Sequence, residues 1–267
     1  MPEQAFDVRR YDALEVRIYH SPREVGRAAA RRSAEILRAA SRDGLATNVL
    51  FSTGASQFEY VDALRSQDDI DFSRMTGFHL DEYLGIPMDH PASFRRWLRD
   101  RVEVPLAPRR LHYIDGNGHE PETECERYAR LLEAHPIHLA LIGIGENGHI
   151  AFNEPDATDF DDPRSVRVIT LDARSRSQQV DEGWFASVDE VPAQAITLTV
   201  PAILRSNAII SVVPAARKAA AVKRALEGPI DASCPASILR RHPNASLFLD
   251  AASAAKLAPV RTQQRSH

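Results

Sequence analysis

The sequence predicts an α/β protein, a single doubly wound, mainly parallel sheet with helices on both faces. Three observations carry this. Short apolar runs of strand length alternate with amphipathic, helix-length segments along the chain. The runs are nearly continuous in Val, Ile, Leu and Phe, as strands buried on both faces must be. The 267 residues are enough for one large core, and no repeat or low-complexity linker divides them. One domain over 1–267 is therefore expected, with 1–14 and 257–267 as peripheral tails.

The elements follow in order. Residues 22–43 carry Val25, Ala29, Ile36, Leu37 and Ala40 on one stripe, behind Ser21 as N-cap and Pro22 at the first helical position. Asn48–Ser52 is a strand, and Thr53-Gly54-Ala55-Ser56 turns it into a helix near 57–66. A strand near 74–80 leads straight to Asp81 and Glu82. Pro91–Val102 and Pro121–Ala134 read as helices. His138–Gly143 is a strand, and Arg164–Leu171, Ala195–Val200, Ala208–Val213 and Ser246–Leu249 are further strands, with a helix at Ala215–Glu227 between the last two. In parallel sheets, ligands bind beyond the carboxyl ends of the strands. Thr53–Ser56, Asp81 and Gly145–Glu154 all follow strands, so they should meet on one rim.

Composition excludes several classes. Thirty-three Lys and Arg oppose 37 Asp and Glu, a net charge of −4, which argues against nucleic acid or a membrane surface as partner. No apolar run reaches membrane-spanning length, and the N-terminus has no apolar leader, so the cytoplasm is the expected location. Cys125 and Cys234 lie far apart without a CxxC spacing, which predicts neither a disulfide framework nor a metal site. Only three lysines occur, Lys218, Lys223 and Lys256.

Two stretches concentrate the chemistry. In FHLDEYLG (78–85) an apolar run ends directly in two acids. Neighbours on an extended segment face opposite ways, so only one of them reaches a ligand, and the plain alternative is a solvated or helix-capping acid. In LIGIGENGHIAFNEP (141–155) a run ends in Gly143, Gly145 and Gly148, followed by His149, with Asn147 and Glu154 close by. The spacing is GxGxxGH, and the histidine argues against a dinucleotide turn, so a dinucleotide is not expected, and no other cofactor is expected either. Most lone histidines are structural. This one has neighbours able to fix its tautomer and tune its basicity. The small-residue turn Thr53–Ser56 could aim backbone N–H groups at a phosphate, or be an ordinary strand–helix turn.

FHLDEYLG with HPASF (90–94), and GIGENGHIAFNEP (143–155), closely resemble the glucosamine-6-phosphate deaminase (isomerase) family, in a superfamily that includes 6-phosphogluconolactonases and sugar-phosphate-sensing repressor domains. The likeness covers roughly 20–255, with VPAARKA (213–219) and SILRRHPNA (237–245) as further matching segments. It implies a Rossmann-like fold of the sugar-phosphate isomerase type, and a deaminase acting on glucosamine 6-phosphate, or a close amino-sugar phosphate, without metal. Asp81 would move a proton between C2 and C1, His149 would open the sugar ring, and Glu154 would support His149. Thr53, Gly54, Ala55, Ser56 and Lys218 would hold the phosphate. It also implies a role in amino-sugar metabolism and N-acetylglucosamine catabolism, and it leaves homo-oligomerisation open.

Two positions depart from the family pattern. Asn147 stands where many members have aspartate; its amide could orient the imidazole through its carbonyl oxygen, but adds no charge. Gln179 stands where an arginine usually grips phosphate, and Arg176, about one helical turn earlier, is the candidate replacement. The run QQVDEGWF (178–185) is also unusual and marks a divergent subgroup. No match to known allosteric residues is evident. The alternatives are a 6-phosphogluconolactonase-like hydrolase and a non-catalytic sugar-phosphate sensor.

Overall fold

The computed structural model describes residues 3–259 apart from 43, 44, 119, 156, 172 and 182. Its main sheet has eight strands: β1 (Asp7–Tyr11), β2 (Leu14–Tyr19), β3 (Thr47–Phe51), β4 (Met75–His79), β6 (Arg110–Leu111), β7 (Leu139–Ile142), β10 (Ile209–Val213) and β11 (Ala245–Asp250). They lie in the order β1-β2-β11-β10-β7-β3-β4-β6. Every pairing is parallel except that of β1 with β2. From β3 the chain moves outward through β4 to β6, then returns to β7 and continues the other way through β10 to β11. The reversal lies between β3 and β7, where such sheets open a crevice for ligands.

Strand side chains alternate between two cores, as the pleat requires. Val49, Phe51, Leu139, Leu141, Ile210 and Val212 face one layer, with α1 (Pro22–Ala40) and α2 (Phe58–Arg65). Leu50, Ala140, Ile142, Ile209 and Val213 face the other. There they meet α5 (Pro121–Ala134), α7 (Val200–Leu204) and α8 (Ala219–Glu227). Ser21 caps α1 as expected, its hydroxyl accepting from the Glu24 N–H at 3.3 Å.

The structure adds to the expected architecture in four places. The strands expected at 164–171 and 195–200 leave the main sheet. As β8 (Val166–Thr170) and β9 (Gln194–Leu198) they pair antiparallel with β5 (Asp81–Tyr83), forming a separate three-stranded sheet. The N-terminal segment read as a tail supplies the edge strand β1. α1 ends at Ala40, and position 43 of the expected helix lies outside the described residues. The helix expected from Pro91 begins only at Phe94, where Ser93 caps α3 (Phe94–Leu98); a π-helical turn, Arg99–Glu103, then leads to α4 (Val104–Leu106). Among the described residues no helix is long and apolar enough to cross a membrane.

Candidate active site

The carboxyl ends of β3, β4, β7 and β10 open on one cleft. Its walls include Thr53, Gly54, Ala55, Ser56, Asp81, His149, Glu154 and Lys218. Segments up to 165 positions apart are thus brought together, as the parallel-sheet rule requires.

Asp81 and Glu82 open β5 and part at once. Asp81 lines the cleft, although little of it is exposed. Burial, then the neighbouring Glu82 charge, pushes its pKa well above the usual carboxylate range. Glu82 turns away and is fully buried. It accepts from the backbone N–H groups of Tyr83, Phe94 and Arg95 at 2.9, 3.2 and 2.8 Å, from the Ser93 hydroxyl at 3.1 Å and from Arg95 Nε at 3.1 Å. Two of those N–H groups belong to the first turn of α3, so Glu82 is the helix-capping acid and Asp81 the cleft-facing one.

His149 follows β7 and its glycine-rich turn. Its Nδ1 lies 3.2 Å from Glu154 Oε1. A Cβ at Gly145 would sit 2.2–2.4 Å from the imidazole, so only glycine leaves the ring room. Glu154 also accepts from Ser175 Oγ at 2.7 Å and from Asn147 Nδ2. Burial alone would raise its pKa, but the adjacent imidazole of His149 and the bonds from Ser175 and Asn147 outweigh this and hold it at about 2. It is therefore a fixed anion behind the imidazole.

Asn147 does not touch the imidazole, contrary to the expectation that its carbonyl would orient the ring. Its Oδ1 accepts from the backbone N–H of His149 at 3.0 Å, and its amide donates to Glu154. It ties the turn to the carboxylate and acts on the ring only through them.

The loop after β3 passes through Gly54 at φ 103°, a conformation costly for any other residue. A 3₁₀ turn, Ala55–Gln57, follows, and Gln57 Nε2 donates to Ser56 Oγ at 3.0 Å and to the Val212 carbonyl at 3.3 Å. This fastens the small-residue loop to the end of β10. Beyond β10 the chain turns through Ala215 at φ 85°, its N–H directed at both Asp250 carboxylate oxygens at 3.2 Å. A 3₁₀ turn, Ala216–Lys218, then brings Lys218 to the cleft.

Arg176, expected to replace the missing phosphate arginine, does not line the cleft. It lies on α6 (Ala173–Asp181), and its guanidinium donates to the carbonyls of Val188 and Val191. One helical turn away, Gln179 does line the cleft. Ser175, Trp184 and Arg217 also line it and were not expected there. Arg217 was visible in principle, beside Lys218 in VPAARKA. Ser175 and Trp184 carried no sequence signal, because an irregular stretch, not a strand end, brings in Trp184, and Ser175 acts by bonding to Glu154. No group of three or more potential metal ligands occurs among the described residues.

A buried carboxyl with an elevated pKa and an imidazole backed by a fixed carboxylate thus face one space. Such a pair can transfer protons at two positions of a small polar ligand.

A family model described as Glucosamine-6-phosphate isomerases/6-phosphogluconolactonase matches residues 20–248. A glucosamine-6-phosphate deaminase of Bacillus thuringiensis (strain Al Hakam) is 31% identical over 89% of this chain and 87% of its own. One of Bacillus cereus (strain G9842) is 34% identical over 74% of each. Among solved structures, a monomeric glucosamine-6-phosphate deaminase superposes with a TM-score of 0.81 at 30% identity, over 90% of this chain and 98% of the other. The 6-phosphogluconolactonase of Trypanosoma brucei superposes at 0.75 with 19% identity, over 94% and 100%, a likeness of fold. The chain belongs to the glucosamine-6-phosphate isomerase/6-phosphogluconolactonase family.

Proposed function

We propose that the protein is a deaminating aldose–ketose isomerase that converts glucosamine 6-phosphate, or a close amino-sugar phosphate, to the ketose phosphate and ammonia. The observation that carries this reading is the shared cleft of Asp81 and His149, with Glu154 behind the imidazole.

His149 carries the anomeric hydroxyl proton to the ring oxygen, which opens the pyranose. Glu154, anionic at any working pH, stabilises the imidazolium formed on the way. In the open chain, the Asp81 carboxylate removes the C2 proton. The C2–H electrons form a C1–C2 double bond and the carbonyl oxygen is protonated, giving an enolamine. Asp81 returns a proton to C1, which leaves a ketose imine at C2. Water adds there and ammonia departs, so sugar phosphate and water become ketose phosphate and ammonia.

The raised pKa of Asp81 suits this task. A carboxyl with a raised affinity for protons accepts a carbon-bound proton more readily than an ordinary aspartate. A substrate ammonium group at C2 would favour its ionised form on binding. The loop 53–56 and Lys218 hold the phosphate, through backbone N–H groups and a point charge.

An ammonia-release assay across glucosamine 6-phosphate, other amino-sugar phosphates and free glucosamine tests the reading. Ammonia from a phosphorylated amino sugar, and little from glucosamine, is expected. Hydrolysis of 6-phosphogluconolactone with no ammonia from any amino sugar would replace it with the hydrolase reading.

A further inference from the structure

We infer that Arg217 is the second phosphate-binding cation of the cleft, tethered beside it by Glu146 and handed to the phosphate when substrate enters. The inference rests on the proposed phosphorylated substrate and names how its charge is met.

A phosphate monoester carries nearly two negative charges at neutral pH, and moving it out of water needs matching cations. Among the described residues that wall the cleft, only Lys218 and Arg217 carry a permanent positive charge. Arg176, the sequence candidate for the second cation, is committed to two backbone carbonyls, and Gln179 on the same helix is neutral.

Arg217 and Lys218 are consecutive on the 3₁₀ turn Ala216–Lys218. That turn follows β10, whose Val212 carbonyl is bonded by Gln57, the residue after the small-residue loop. The cation pair and the loop N–H groups therefore sit at strand ends on either side of β7, linked by that bond. Arg217 differs from Lys218 in exposure: its side chain is 49% accessible, whereas Lys218 is 7% exposed.

The partner of Arg217 is Glu146, with Nε 3.3 Å from Oε1, and Glu146 belongs to the turn that carries His149. Half-exposed pairs of this kind contribute little to stability. A dianion that accepts two parallel N–H bonds from a guanidinium competes well against such a carboxylate. Glu146 thus keeps Arg217 near the cleft without trapping it.

The test is calorimetric titration of the full chain, carrying Asp81→Asn throughout so that no ligand is turned over, with inorganic phosphate and with glucosamine 6-phosphate. Arg217→Gln should weaken both by about tenfold or more, the loss of a charge-assisted contact. Glu146→Gln removes the competitor and should tighten both by a few-fold. Unchanged affinity in Arg217→Gln, or weaker binding in Glu146→Gln, would overturn the inference. Inorganic phosphate reports on Arg217 even if no amino sugar is deaminated, so the two ideas fail separately.

Discussion

Asp81 and Glu82 are adjacent on one short strand yet occupy opposite environments: Asp81 lines the cleft, and Glu82 sits in a buried cage of five hydrogen-bond donors. The pleat that separates them makes one acid structural and leaves the other for chemistry. Their proximity still couples them, because the Glu82 charge helps to raise the Asp81 pKa.

Asp81→Asn should lower turnover by about a thousandfold, the range for loss of a positioned acid/base. It should also stabilise the fold at neutral pH. A carboxyl whose folded pKa exceeds its unfolded value of 3.8 contributes stability below that value and loses it as pH rises through the folded one. The asparagine variant escapes that loss, so its advantage in urea denaturation should be larger at pH 8 than at pH 4. A variant less stable than wild type at pH 8 would contradict this.

Arg95 is the buried countercharge of Glu82, and its other nitrogens reach the Ile86 carbonyl and Asp115. Arg95→Leu leaves a buried carboxylate uncompensated and should cost about 3–5 kcal/mol in urea unfolding. Glu82→Gln should instead act on the cleft. With the repelling charge gone, Asp81 ionises more easily, and the acid limb of kcat/KM moves to lower pH.

Gly145→Ala places a methyl within the imidazole of His149. The ring is a side chain and can swing aside, so the fold should survive with a near-native melting temperature. Displacement of a reacting group by about 1 Å costs on the order of a hundredfold in rate. Near-wild-type turnover in this variant would show that the position of His149 does not matter.

Glu154→Gln should reduce turnover by about a hundredfold, since the imidazolium loses its counter-anion. It also has a signature in acid. The folded pKa of about 2 lies below the ordinary 4.5, so the stability Glu154 contributes is present above pH 4.5 and lost as pH falls towards 2. Wild type should lose more stability than the variant across that window. Parallel curves would mean that the carboxylate is not held as described.

The parallel sheet, its helices and the residues meeting on its rim were legible in the sequence because local signals agreed. Apolar runs ended abruptly in Asp81 and in the glycines before His149, and a strand that ends in polar residues points to the ligand rim. The small second sheet was not legible, since β5 has only three residues and its partners β8 and β9 come from distant segments. Arg176 misled because helical spacing says which residues share a face, not which carbonyls compete for a guanidinium. Here the turn at Val188–Val191 claims it. The role of Asn147 depended on which atom of His149 it meets, a detail fixed by the local turn and invisible in spacing.

The chemistry proposed for the cleft depends on Asp81 breaking a carbon–hydrogen bond at C2 of an amino sugar. Glucosamine 6-phosphate deuterated at C2 tests it most directly, by the rate of ammonia release and the position of the label in the product. Release slower than from the protiated sugar is expected, with the label gone from C2. Ammonia released with deuterium still at C2, or no ammonia at all while a sugar lactone is hydrolysed, would contradict it.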